Sequence, residues 1–195
     1  MQNDEKNFSL LMPVERNTIN IFGEINEKSA EMTIAQLQYL DDKFKREDIP
    51  IDERIVTLQI NSPGGSVTDG IAILDTMNYV DAKIRTICLG MCASMAAVLL
   101  SAGTRGMRFA TEHSEVLIHQ PLGSASGQAT DVVIAANRIK KVREKLNLIL
   151  SENTCQSIRR IEKDTDRDTI FTAQQALKYG LIDEVIPSIS KAKIQ

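Results

Sequence analysis

Tryptophan is absent, and aromatic residues of all kinds are only 4% of the 195 residues. A stacking platform for single-stranded bases needs aromatic faces, so that function has no material here. Positive charge is not in excess: 23 Lys and Arg stand against 26 Asp and Glu, for a net charge of −3. The pairs Lys140-Lys141 and Arg159-Arg160 read as solvated helix faces, not as a footprint for a phosphate backbone. Cysteine is sparse and odd in number: Cys88, Cys92 and Cys155. That excludes a paired disulfide framework, favours a reducing compartment, and supplies no CxxC pair for zinc. The longest apolar stretch, residues 86–100, is broken by Gly90 and Ser94. It falls short of the ~20 residues that span a bilayer. Met1-Gln2-Asn3-Asp4-Glu5-Lys6 is polar and does not resemble a secretory signal. The expectation is a soluble cytoplasmic protein that binds neither nucleic acid nor membrane.

What the chain does have is an ordinary globular composition, 43% hydrophobic and 25% charged. Its length supports one full core without metals or disulfides. Residues 1–16 read as an N-terminal arm, 17–188 as a single domain and 189–195 as a tail. Within the domain, strands alternate with helices. Strands are expected at residues 18–22, 55–60, 84–89, 116–118 and 181–186. Asn26 caps a helix to about residue 46, with Ala30, Ile34, Leu37, Leu40 and Phe44 on one face. Further helices are expected over residues 68–79, 96–100, 129–152 and 157–163. In the longest, Val132, Ile139, Val142, Leu146 and Ile149 mark the apolar face. Thr172 and Gln175 form a capping box for a last helix that Gly180 ends. The alternation gives an α/β fold with mainly parallel pairing.

One segment stands out chemically: Gly90-Met91-Cys92-Ala93-Ser94-Met95-Ala96-Ala97. It places a serine between an expected strand and an expected helix. First-turn amides lack partners within their helix and carry partial positive charge. A turn there presents a nucleophilic hydroxyl beside donors for an oxyanion. Small residues also occur wherever a helix packs closely on a sheet. A nucleophilic serine needs a base, and the chain has two histidines. His119 ends an expected strand beside the Gly123-Ser124-Ala125-Ser126-Gly127 loop, whereas His113 sits between acidic residues and reads as a turn residue. Asp164, Asp166 and Asp168 each offer a carboxylate to orient an imidazole, and spacing does not choose among them. The same run reads alternatively as a charged loop. As a calcium loop it fails, because Thr169 stands where glycine is needed and Gln175 where glutamate is. The amide of Met95 is one oxyanion donor, and Gly64-Gly65 is a candidate for the second.

Taken together, these motifs resemble the Clp protease proteolytic subunit family (ClpP). The residues are Ile60-Asn61-Ser62-Pro63-Gly64-Gly65-Ser66, Ala93-Ser94-Met95-Ala96 and Ile118-His119-Gln120-Pro121-Leu122-Gly123. With them go Gly127-Gln128-Ala129-Thr130-Asp131, Glu162-Lys163-Asp164-Thr165-Asp166-Arg167-Asp168 and Ala176-Leu177-Lys178-Tyr179-Gly180-Leu181-Ile182-Asp183. The resemblance implies a crotonase-like ββα superhelix with a protruding handle helix from Ala129. It implies a serine endopeptidase with Ser94 as nucleophile, His119 as base and Asp168 as the third member. Gly65 and Met95 would form the oxyanion hole. Gly64, Ser66, Val67, Leu122 and Gly123 would bind substrate as an added β-strand. Asp166 and Arg167 would make contacts between rings. Further implications are stacked seven-membered rings of this subunit, a triad competent only in the assembled particle, and a hexameric AAA+ ATPase that delivers unfolded polypeptide. No cofactor is implied in this subunit, because ATP is used by the partner ATPase, and no metal is implied.

Three features depart from the family pattern. The lead before the first strand is short for an axial gate, Cys92 stands where alanine is usual, and Ser124-Ala125-Ser126 replaces a Gly-led tip. Other readings are a catalytically silent scaffold subunit in mixed rings, a Ser–Lys peptidase on the same fold, and an acyl-CoA enzyme of the crotonase type. The Ser–Lys reading finds no motif at Lys83 or Lys140, and the acyl-CoA reading has no use for Ser94 and His119.

Overall fold

The structure, a computed structural model, describes residues 17–187. The expected N-terminal arm and C-terminal tail lie outside the described residues. The chain runs β1 (Thr18–Phe22), α1 (Glu27–Arg46), β2 (Ile55–Ser62), α2 (Val67–Tyr79), β3 (Lys83–Ala93) and α3 (Met95–Ser101). It continues through β4 (Arg108–Thr111), β5 (Glu115–Ile118), α4 (Ala129–Thr154), α5 (Ile158–Asp164), β6 (Thr169–Thr172), α6 (Ala173–Tyr179) and β7 (Glu184–Ile186).

Local chemistry accounts for several boundaries. Asn26 and Ser29 form a reciprocal capping box that starts α1, and Thr172 with Gln175 does the same for α6. Ser66 and Ser157 accept N3 amides at the starts of α2 and α5. Gly180 closes α6 with φ 94.

Strands β1, β2, β3, β4 and β7 lie side by side in that order, all parallel. β3 is the strand on which the sheet forks. Thr86 to Cys88 pair with β4, whereas Met91 to Ala93 pair with β5. β5 then pairs antiparallel with β6. The fork explains the difference from the expected strand, which stopped at Leu89. β3 changes partner at the Gly90 bend and continues to Ala93, immediately before Ser94. β4 and β6 have no counterpart in the sequence reading. Each has only two apolar residues, flanked by polar ones, so neither shows the apolar run that marked β5. The closing strand starts at Glu184 rather than Leu181, because the Leu181 amide is still bonded to Ala176 O at the end of α6.

α1 packs on β1 and on α2, and α3 packs on β2, β3, β5 and α4. All seven residues of α3 are buried. Burying a side chain the size of Leu99 or Leu100 stabilises the fold by about 1.5–3 kcal/mol. α4 differs from its expected apolar stripe. Only Leu146, Asn147, Leu150 and Thr154 are buried. Val133 and Ile134 are 58% and 61% exposed, so the first half of α4 projects from the body with its apolar residues uncovered. Among the described residues, no helix is long and apolar enough to cross a membrane.

Candidate active site

The strand registers bring the sequence-identified residues together. Ala93 lies opposite Leu117 in the parallel β3–β5 pair. The ladder continues one step, with Ser94 N donating to Leu117 O at 2.8 Å. In the antiparallel β5–β6 pair, Ile118 lies opposite Thr169. Extending that register by one residue sets His119 against Asp168. His119 Nδ1 is 3.1 Å from Asp168 Oδ1. Three adjoining strands therefore deliver a serine, an imidazole and a carboxylate to one place.

Ser94 has φ 56 and ψ −123, a backbone conformation that costs a non-glycine residue on the order of 1–3 kcal/mol. It is imposed from both sides. The Leu117 carbonyl holds the Ser94 amide, and the Ser94 carbonyl accepts from Ala97 N at 3.0 Å as α3 begins. A strained serine at a strand-to-helix turn presents its hydroxyl outward. Its Oγ makes no hydrogen bond among the described residues, so His119 is tied to Asp168 but not yet to the serine.

His119 is held by the residue after it. Gln120 N donates to Thr165 O at 2.6 Å, and Gln120 Nε2 donates to Asp166 O at 2.8 Å. Sequence reasoning missed this clamp, which joins two segments 46 positions apart. The three aspartates that spacing left equivalent have separate partners. Asp164 accepts from Arg160 Nε at 3.0 Å and Tyr179 OH at 2.9 Å. Asp166 lies 3.7 Å from Arg143. Only Asp168 meets His119. Arg167 is exposed beside Asp166, and His113 is in the β4–β5 turn.

The glycines shape the space in front of Ser94. Gly64 has φ 91, and a Cβ added to it would lie 2.7 Å from Ser94 Cβ and 3.0 Å from Met95 N. Any side chain here would fill the gap that the Met95 amide faces. Gly65 has φ 147, and a Cβ there would collide with the Ile25 carbonyl. Ile25 N donates to Gly64 O and Ser66 N donates to Ile25 O, each at 2.8 Å. In this parallel bridge the Gly65 N–H is directed away from Ile25. Gly64 N donates to Ser62 Oγ at 3.1 Å, which fixes the turn.

Beside Ser94 and His119 is a small pocket walled by Val67, Val98, Ile118, Pro121, Leu146 and Leu150. The helix stripe of α4 showed Leu146 as apolar; only the tertiary structure shows it lining this pocket. Of the expected substrate-binding residues, Ser66 has its backbone engaged as the α2 cap, while Val67 opens that helix. Leu122 is 86% exposed, and residues 121–126 carry no regular structure. Gly123 abuts Ile139 of α4, where a Cβ would lie 2.5 Å from Cδ1. No group of three or more His, Cys, Asp or Glu side chains gathers as a metal site among the described residues.

Such chemistry at the shared end of adjoining strands, on a mainly parallel sheet, defines the class as an α/β serine hydrolase. The family model for Clp protease matches residues 3–188. The chain is 50% identical over 175 residues to the ATP-dependent Clp protease proteolytic subunit of Ligilactobacillus salivarius (strain UCC118), covering 90% of this chain and 85% of that protein. The chain belongs to the Clp protease family, and with it to the serine-type endopeptidases.

Proposed function

We propose that this protein is the peptide-cleaving subunit of an ATP-dependent, self-compartmentalising protease. Ser94 is the nucleophile, His119 the general base and Asp168 the group that orients the imidazole and stabilises its cation. The observation that carries the reading is the register of β3, β5 and β6, which sets these residues at one place from three segments of the chain. An extended polypeptide lies along the free edge at Gly65 and Val67, with Leu122 and Gly123 on its other side. Backbone groups hold it, so many sequences are accepted. One side chain enters the apolar pocket beside Ser94.

Chemistry follows from this placement. His119 Nε2 takes the proton from Ser94 Oγ as the oxygen attacks the scissile carbonyl. Asp168 holds the other ring nitrogen and stabilises the imidazolium. The amides of Gly65 and Met95 receive the oxyanion, each donor lowering the barrier by about 3 kcal/mol. His119 returns the proton to the leaving amine. Water then repeats the cycle on the acyl-enzyme.

Ser94 Oγ and His119 share a pocket without a hydrogen bond in the single chain, which supports completion of the triad on assembly. The uncovered first half of α4, together with Asp166 and Arg167, forms the contact between two rings of seven subunits. A partner AAA+ ATPase spends ATP and feeds unfolded protein inward, so this subunit needs no cofactor of its own. The working compartment is the cytoplasm. Residues 17–188 act as one domain.

The test is Ser94→Ala with a fluorogenic peptide and a fluorophosphonate probe. Loss of turnover and of labelling, with unchanged circular dichroism and particle size, is expected. Undiminished turnover would overturn the assignment. Labelling that fails in the assembled wild-type particle would favour a silent scaffold subunit.

A further inference from the structure

Two thiols outside the proposed chemistry flank the bend just before Ser94. Cys88 and Cys92 are both free and both 0% exposed. On a regular strand, residues four apart are about 13 Å apart. β3 is not regular here. Cys88 pairs with Ile60, and Cys92 pairs with Ser62. Four residue steps on β3 thus match two on β2, and the excess is taken up by Leu89, Gly90 and Met91. Two strand steps span about 6.6 Å, inside the ~4.4–6.8 Å Cα range of disulfides. Ile60 and Ser62 face one side of their strand, so their partners do too. Each thiol donates to a backbone carbonyl, Cys88 to Glu115 O and Cys92 to Ile60 O, and the two lie near enough to perturb each other's ionisation.

We propose that Cys88 and Cys92 form a redox-sensitive pair that a hydroperoxide converts to a disulfide, and that this crosslink switches off the site at Ser94. The activity part of this inference rests on the nucleophile assignment above; the crosslink itself does not. The pair is chemically asymmetric. The neighbouring Cys92 side chain holds the Cys88 thiol below its usual value; burial opposes this, and Ser114 adds to it. Burial, then the contact with Cys88, pushes Cys92 well up. The disulfide is the same whichever sulfur attacks first, and the lowered thiol, Cys88, is written as the attacker.

Cys88 sulfur attacks one peroxide oxygen and the O–O bond breaks. The thiol proton leaves with the departing oxygen as water, and Cys88 becomes a sulfenic acid. Cys92 sulfur then attacks the sulfenic sulfur. The S–S bond forms, the S–O bond breaks, and the Cys92 proton leaves in a second water. Two electrons pass from the thiols to the peroxide. Gly90 and Met91, between the two cysteines in sequence, are exposed, so the bend that joins the buried thiols borders solvent and is the route for a small oxidant.

The crosslink reaches the site through two strand ends. Cys92 Sγ now donates to Ile60 O, and Cys88 Sγ to Glu115 O. Both bonds are lost on oxidation. Cys92 is two residues before Ser94 on β3. Ile60 is two before Ser62, whose hydroxyl holds Gly64 N.

Cleavage after Arg85 and Arg105 yields one peptide, residues 86–105, that carries both cysteines and not Cys155. The assembled protein, in a Cys155→Ser background, is treated with hydrogen peroxide, denatured with iodoacetamide and mapped by mass spectrometry. The expected peptide is unalkylated and two hydrogens lighter, and a thiol reductant restores alkylation at both sites. Peptidase turnover should fall at least fivefold with the same peroxide dose and recover with reductant. Cys92→Ala, which restores the family's usual residue, should keep its turnover through the same treatment. Two alkylatable thiols after treatment would overturn the pair. A crosslink with unchanged turnover would overturn the switch, and inactivity before any oxidation would count against the nucleophile assignment instead.

Discussion

Ser94, Gly64 and His119 each hold a position that only their neighbours could impose. Ser94 is strained, and its strain is held by the Leu117 carbonyl on one side and α3 on the other. Gly64 is where a single methyl group would reach both Ser94 Cβ and Met95 N. Gly64→Ala should therefore lower kcat by about 10²-fold or more, the scale of a lost oxyanion donor, with KM less affected. Steady-state kinetics on the assembled protein would show it. Asp168→Asn keeps a partner for His119 but removes the charge and reverses the favoured tautomer. A fall in kcat on the order of 10²–10⁴-fold is expected, and the analogous changes at Asp164 and Asp166 should not reproduce it through the imidazole.

At the scale of elements, the Arg108–Asp183 pair ties the β4 start to the turn before β7. Asp183 Oδ2 accepts from Gly106 N at 2.7 Å, Arg108 N at 3.0 Å and Arg108 Nε at 2.9 Å. Arg108 also donates to Ser101 O and Asn153 O, so one guanidinium joins α3, β4, α4 and the last turn. Burial disfavours the Asp183 carboxylate, but the hydrogen bonds and charge of Arg108 win and hold its pKa below the usual 3.8. A depressed folded value adds stability that is full above the unfolded value and is lost as pH falls through the folded one. Asp183→Asn should destabilise by about 3–5 kcal/mol near neutrality, because the buried Arg108 loses its counter-charge. The deficit should shrink in acid, and urea titrations at several pH values would measure it.

For the whole molecule, the uncovered residues of α4 are the informative surface. Val133 and Ile134 are adjacent, aliphatic and more than half exposed. Val133→Glu should leave the melting temperature of the subunit within a few degrees, since it removes no buried contact. It should shift the particle to smaller species in sedimentation, and peptide turnover should fall with that shift. A full-sized, active particle would place the ring contact elsewhere.

Much of the fold was legible in the chain. The caps at Asn26 and Thr172 and the helices over residues 129–152 and 157–163 rest on local chemistry, and they stand within a few residues of where the pattern put them. β4 and β6, RFAT and TIFT, were illegible because each holds only two apolar residues between polar ones, whereas β5, of the same length, carries the run Val116-Leu117-Ile118. The length of β3 was hidden for a related reason. Gly90 reads as a breaker, yet here it is the point where one strand changes neighbours. At the site, the motifs identified Ser94, His119 and the Gly64-Gly65 turn as candidates from residue type alone.

The sequence by itself determined the residue inventory: a serine before a helix, two histidines and three close aspartates. Propensity, capping and charge act between near neighbours, so they are written in local order. Tertiary structure decided which aspartate meets His119, how Gly64 opens the space before Met95, and that Cys88 and Cys92 come together. Those facts depend on register between strands that are far apart in the chain, and a shift of one residue would have changed every one of them.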